Sequence, residues 1–284
     1  MYKRQKVNKL IQNLNLADDF LFAKVMSDKV ICKKVLEEIL NIKIQEIKMP
    51  EQQKVIDLVL DSKSVRLDIY VNDEHNTIYN VEMQKSSHKN LAKRSRYYQG
   101  NIDLDMIQKG EDYEKLRKSF VIFICTFDPF NKGRHIYTFQ NRCYEDSTLT
   151  LGDETTKVFL NTKGELNDVN EEMIEFLNYI ENSTDDYANQ AKSQLVKEIN
   201  QKVSYLKSDK SLEVEYMTLY ERDKEKFKEG HEQGLQEGLE QGIEKNKIEN
   251  AKALLDILDD ETIASKIELP LETVQKLRTE ILSQ

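Results

Sequence analysis

Cysteine is scarce in this 284-residue chain. The three present, Cys32, Cys125 and Cys143, are an odd number with no Cys-x-x-Cys spacing. That speaks against a disulfide framework and predicts free thiols, two of them inside apolar runs. The four histidines, His75, His88, His135 and His231, are scattered without zinc spacing. Long hydrophobic runs are also missing. Phe120–Phe127 (FVIFICTF) has the length of a strand, so no membrane span is expected. Met1–Lys6 is basic but is not followed by the apolar segment of a signal peptide. A soluble, cytoplasmic protein is the expectation. There is no GxxxxGK[ST] loop and no dinucleotide fingerprint, which argues against a nucleotide cofactor. No Ser/His/Asp grouping presents itself.

Charge, in contrast, is abundant. Charged residues make up 33% of the chain and hydrophobic ones 39%, with a mean hydropathy of −0.66. Such a chain builds a core but leaves long polar helices. The net charge of −9 argues against nucleic acid as a partner. Its distribution points elsewhere. Residues 85–135 hold eleven Lys/Arg against six Asp/Glu, a local +5, and residues 211–284 hold ten against eighteen, a local −8. A basic central surface is compatible with phosphate binding, and solvated helix faces are the alternative.

The informative stretch is Val65–Gln84, VRLDIYVNDEHNTIYNVEMQ. Two alternating runs, Val65–Val71 and Ile78–Gln84, flank the polar turn Asn72–Asn76, which predicts a β-hairpin. Side chains alternate between faces, so Val65, Leu67, Ile69 and Val71 are expected on one face and Arg66, Asp68 and Tyr70 on the other. Glu82 and Gln84 share a face of the second strand. The hairpin is either half-exposed with a solvated charged face, or buried with Asp68 and Glu82 meeting a cation. In the second case two carboxylates on neighbouring strands hold a hard divalent ion with open water positions.

Asp68 followed by Glu82-x-Gln84 resembles the D…(D/E)-x-K signature of the PD-(D/E)XK nucleases, with Gln in place of Lys. The chain is similar to the Rpn group of recombination-promoting nucleases, also called transposases, at Asp19–Met26, Arg66–Ile69 and Tyr79–Gln84. The likeness continues through Arg94-x-Arg96-Tyr97-Tyr98, Gly110-x-x-Tyr113 and Phe120–Phe130 to a Gly-repeat tail. The order of these pieces carries the resemblance. It implies a restriction-endonuclease-like αβββαβ core with a mixed sheet, and Mg2+- or Mn2+-dependent endonuclease action on DNA in recombination or defence against foreign DNA. It implies metal ligation by Asp68, Glu82, the Met83 carbonyl and Asp19, with Gln84 at the position of the catalytic lysine. A glutamine there can hydrogen-bond the attacking water but brings no charge. Arg66 is then the candidate supplementary cation, and Arg94, Arg96 and Tyr98 are candidates for substrate phosphate. The alternative is a weak or inactive nuclease fold serving as a DNA-binding or oligomeric assembly module.

Along the chain, helices are expected at about 18–27 and 29–41, with Asp18 or Asp19 near the first start. A strand at Lys54–Leu60 follows Pro50. Lys85–Gly110 has a helical pattern with Lys89, Lys93, Arg94 and Arg96 in its early turns. Phe120–Phe127 reads as a central strand buried on both faces, and His135–Phe139 and Lys157–Leu160 as two more. The expected organisation is a nuclease core over 1–165, a helical extension over 166–227, a Gly-repeat helix or linker over 228–247 and a small helical module over 248–284. Glycines 230, 234, 238 and 242 recur every four residues. In a helix interior they cost roughly 4 kcal/mol against alanine. The segment is either an oligomerisation stem or a flexible acidic linker. The last module resembles a helix-turn-helix, but its Lys276 and Arg278 are balanced by Glu272 and Glu280, which favours a partner or dimer module. A homo-oligomer through the C-terminal helices is expected, and the acidic tail could regulate the basic core.

Overall fold

The computed structural model describes residues 11–56, 65–87 and 90–282, without the side chains of residues 53, 55, 56, 65, 66, 281 and 282. Two consecutive helices begin where short acidic side chains cap them. Asp18 accepts from the Phe20 N–H ahead of α1 (Asp19–Met26), and Asp28 accepts from Val30 and Ile31 ahead of α2 (Lys29–Leu40). Asn41 closes α2 in the left-handed conformation that Asn tolerates.

A six-stranded mixed sheet follows: β1 (Glu51–Ile56), β2 (Val65–Asn72), β3 (Ile78–Gln84), β4 (Ser119–Cys125), β5 (Ile136–Phe139) and β6 (Thr155–Asn161). Its spatial order is β1-β2-β3-β4-β6-β5. The first three strands form an antiparallel meander, β4 pairs parallel with both β3 and β6, and β5 returns antiparallel on β6. The parallel crossover between β3 and β4 is made by α3 (Leu91–Met106). This is the expected αβββαβ order. The edge strand β1 starts at Glu51, ahead of the predicted Lys54, and the rest of that prediction, 57–60, lies outside the described residues.

Both sheet faces are covered, and β3 and β4 are buried along their whole length. One face packs Ile69, Val71, Tyr79, Val81, Met83, Ile122 and Ile124 into the core that contains α1, α2, α4 (Glu171–Glu181) and α6 (Gln194–Ser208). The other packs Tyr70, Ile78, Val121 and Phe123 against Leu91 and Ile102 of α3. The solvated-hairpin alternative does not hold for β3. Its charged face lies under α3.

Between α4 and α6 lies the short α5 (Asp185–Gln190). Thr184 caps it and Ser193 caps α6. The helical extension expected over 166–227 is therefore interrupted at 191–193. Next, α7 (Lys210–Leu254) continues for 45 residues through all four repeat glycines. The chain divides into two compact units, Met1–Tyr216 and Met217–Gln284. In the second, α8 (Asp260–Ile267) and α9 (Leu271–Leu282) close a small core of Ala251, Leu255, Ile263, Leu269, Val274 and Leu277. Arg278 is turned inward there. It donates to Asp260 Oδ1 at 2.6 Å, to the Leu258 carbonyl at 2.7 Å and to the Leu255 carbonyl. A guanidinium so engaged serves the module's own fold.

Candidate active site

The site forms where β2 and β3 exchange backbone pairing for side-chain pairing. Their register runs from Asn72↔Ile78 to Ile69↔Val81. At the next step the Asp68 N–H donates to Glu82 Oε1 at 3.1 Å, and the Met83 N–H donates to Asp68 Oδ2 at 3.1 Å. Each carboxylate thus takes the ladder position that a carbonyl would fill. The substitution also interrupts the alternation of β2. Leu67 packs on the α3 face with Tyr70, while Ile69 and Val71 pack on the opposite face. The expectation that Leu67 shares a face with Ile69 is corrected at this irregularity.

The two carboxylates differ in surroundings. Asp68 is half-buried, whereas only 4% of the Glu82 side chain is exposed. Burial pushes the Glu82 carboxyl up from its ordinary range, and the Asp68 charge pushes it the same way. The Asp68 N–H, the Asn80 amide and the Arg94 guanidinium act against this, more weakly. A buried carboxyl held up by a like charge is what a cation relieves, and the donors are hard oxygens. Magnesium is commonly held by one or two carboxylates together with substrate phosphate, so this pair fits such an ion. Among the described residues, no group of three or more His, Cys, Asp and Glu side chains gathers as a metal site.

The Asp19 carboxyl is pushed up by partial burial, and Lys85 acts against this. Asp19 opens α1, its carboxylate 4.0 Å from Lys85 Nζ, which also donates to Asp18 Oδ2 at 3.1 Å. Lys85 is thus engaged on the α1 side, away from the face that Glu82 and Gln84 share.

Gln84 is buried, and both ends of its amide are used. Its Oε1 accepts from Arg94 Nη1 at 2.6 Å, and its Nε2 donates to the Ser86 carbonyl at 2.8 Å. Arg94 comes from the first turn of α3, and its Nη2 donates to Tyr98 Oη at 2.9 Å and lies 4.0 Å from Glu82 Oε2. Residues 94 and 98 are one helical turn apart, which explains how one guanidinium reaches both Tyr98 and the strand. The Tyr98 hydroxyl is itself pushed up, by burial first and by the Glu82 charge second. Arg96 and Tyr97 are exposed on α3. The Arg66 side chain, His88 and Lys89 lie outside the described residues.

One neighbour escaped the sequence reading. Asn80 shares the face of Glu82 and Gln84, is fully buried, and its side-chain amide acts on the Glu82 carboxyl, holding it down. The two-residue spacing from Glu82 was the available signal.

A family model described as PD-(D/E)XK nuclease family transposase matches residues 16–238. The chain belongs to that family. The match spans the whole sheet, both carboxylates and α3, and it extends into α7. No curated protein and no solved structure gives a match. PD-(D/E)XK nucleases generally use divalent metals. Among the described residues, no helix is long and apolar enough to cross a membrane.

Proposed function

We propose that this family member is a divalent-metal-dependent endonuclease that hydrolyses phosphodiester bonds of DNA, in recombination or in defence against foreign DNA. The observation that carries the reading is the Asp68–Glu82 pair, two carboxylates interlocked through each other's strand and one of them buried. Asp68, Glu82 and the Met83 carbonyl would hold Mg2+ or Mn2+, and Asp19 is a further candidate. When bound, the ion supplies Lewis-acid polarisation of the phosphate and eases ionisation of water. The chain's own residues do the rest. Arg94 and Tyr98, one helical turn apart, would meet the substrate phosphates, with Arg96 and Arg66 as further candidate cations. Burial of Glu82 keeps the reacting region low in dielectric, where each charge counts for more.

The test is cleavage of supercoiled and linear DNA in Mg2+, Mn2+ or EDTA. Cleavage that needs metal and is lost in Asp68→Ala and Glu82→Ala supports the reading. Unchanged cleavage in both variants removes it.

A second reading, a weak or inactive nuclease fold that binds DNA or assembles, is favoured by Gln84 standing where the family pattern has lysine. DNA binding without metal-linked stabilisation would select it. For the chain as a whole we propose a nuclease core over 1–165, a helical extension over 166–227, an acidic stem over 228–247 and a helical module over 248–284. Self-association through the C-terminal helices is supported by Leu235, Leu239 and Ile243, all exposed along α7. Free Cys32, Cys125 and Cys143 are in keeping with a cytoplasmic setting.

A further inference from the structure

We infer that Gln84 is a positioning residue for Arg94, and that the Arg94 guanidinium supplies from α3 the positive charge that a lysine at position 84 would supply from the strand. This rests on the nuclease reading above and assigns the source of its cation. Arg94 and the Ser86 carbonyl each take one hydrogen bond of the Gln84 amide, so its orientation is set by protein groups at both ends. A buried amide with both ends bonded is a strut. The group it fixes is Arg94, which carries five N–H donors on a planar fork. One donor goes to Gln84 and one to Tyr98, and the guanidinium stays 4.0 Å from Glu82 Oε2.

The position is also suited to phosphate. Arg94 is about one-third exposed, unlike Glu82 beneath it, so one edge is held by protein and another is open to substrate. Its guanidinium carbon lies 5.4 Å from the Tyr98 ring centroid and 5.6 Å from that of Phe123, which adds cation–π support on the buried side. A guanidinium is always charged and bidentate towards phosphate. With Arg94 already 2.6 Å from residue 84, a lysine there would set two cations against each other. Glutamine is the residue that accepts from the arginine instead.

The deciding experiment transposes the charge. Wild type, Gln84→Ala, Gln84→Lys, Arg94→Gln and Gln84→Lys/Arg94→Gln are compared for cleavage of duplex DNA in Mg2+. Binding of the same duplex is followed in Ca2+ by fluorescence anisotropy. Arg94→Gln is expected to lower kcat about 100-fold, as for loss of one preorganised charge donor, with KM changed by only about 3-fold. Gln84→Ala lowers kcat about 10-fold, and Gln84→Lys alone gains nothing. The double variant recovers at least about 10-fold over Arg94→Gln, because the cation is restored from the strand. A double variant no better than Arg94→Gln, or an Arg94→Gln protein with wild-type kcat, overturns the inference. The guanidinium resonances of Arg94 provide a readout independent of cleavage. They should be separate and slowly exchanging in wild type and averaged in Gln84→Ala; identical spectra overturn the positioning role. If wild type binds but never cuts, the nuclease reading fails, and the resonances alone decide whether Gln84 holds Arg94.

Discussion

Two stretches put residues where their chemistry is costly, in opposite ways. Between β3 and α3, the polar side chains Asn80, Glu82 and Gln84 are buried. Along α7, the apolar side chains Phe227, Leu235, Leu239 and Ile243 are exposed, beside glycines whose missing Cβ atoms would meet nothing within 4 Å. Buried polar groups persist when something pairs with them, and exposed apolar ones when something covers them. In the first stretch most of the partners are inside the molecule. Gln84 has Arg94 and Ser86, and Glu82 has the Asp68 N–H, yet its carboxyl stays pushed up. The unfinished pairing there calls for a small cation. In α7 the unfinished surface runs along one helix and calls for another protein surface.

The comparison breaks most visibly at the carboxylates. Asp68→Ala and Glu82→Ala should each abolish metal-dependent DNA cleavage, a loss of at least about 1000-fold read as plasmid nicking, while far-ultraviolet circular dichroism is unchanged. Retained nicking would make the two acids merely structural.

A sharper contrast lies in pH. The folded-state Glu82 carboxyl titrates above its ordinary 4.5, so the folded protein keeps a proton that the unfolded chain has released. Its stabilising contribution is complete below 4.5 and is lost as pH rises through the folded value. Melting temperature without divalent ions should therefore fall between pH 5 and 8. Added Mg2+ should restore more at pH 8 than at pH 5. Glu82→Gln should flatten both trends, and an unchanged slope in that variant would assign the pH dependence elsewhere.

On the α7 side, Gly234→Ala, Gly238→Ala and Gly242→Ala should each strengthen an isolated helix by about 1 kcal/mol. Helicity and mass are measured together. Higher helicity with lower mass shows that a neighbouring helix packs against the glycines, and higher helicity at constant mass shows that none does. The smallest effect is expected at Asn80. Its amide helps to hold the Glu82 carboxyl down, so Asn80→Leu should cost about 1 kcal/mol in chemical denaturation at pH 8. An unchanged denaturation midpoint would show that the amide does nothing for Glu82.

Much of the fold was legible because its elements announce themselves locally. Asp18 marks the first helix start, Val65–Gln84 alternates, and Phe120–Phe127 is nearly all apolar, as a strand buried on both faces must be. The acid pair was legible for the same reason, since a two-residue step fixes the face of Glu82 and Gln84. What Gln84 touches was not. Its partner arrives from α3 after a crossover, and tertiary contacts of that kind leave no periodic trace. The Leu67 switch was hidden similarly, because it follows from carboxylates intruding on a ladder. Residues 210–254 read as a helix, a glycine segment and part of a module, because glycine's penalty argues for breaks. A single helix spans them.

The most direct test of the carboxylate pair is titration of the protein with Mn2+, with bound ion counted by electron paramagnetic resonance at pH 8. One tightly bound ion per chain in wild type, weakened at least about 10-fold in both Asp68→Asn and Glu82→Gln, is the predicted result. Equal Mn2+ binding by all three proteins would contradict it.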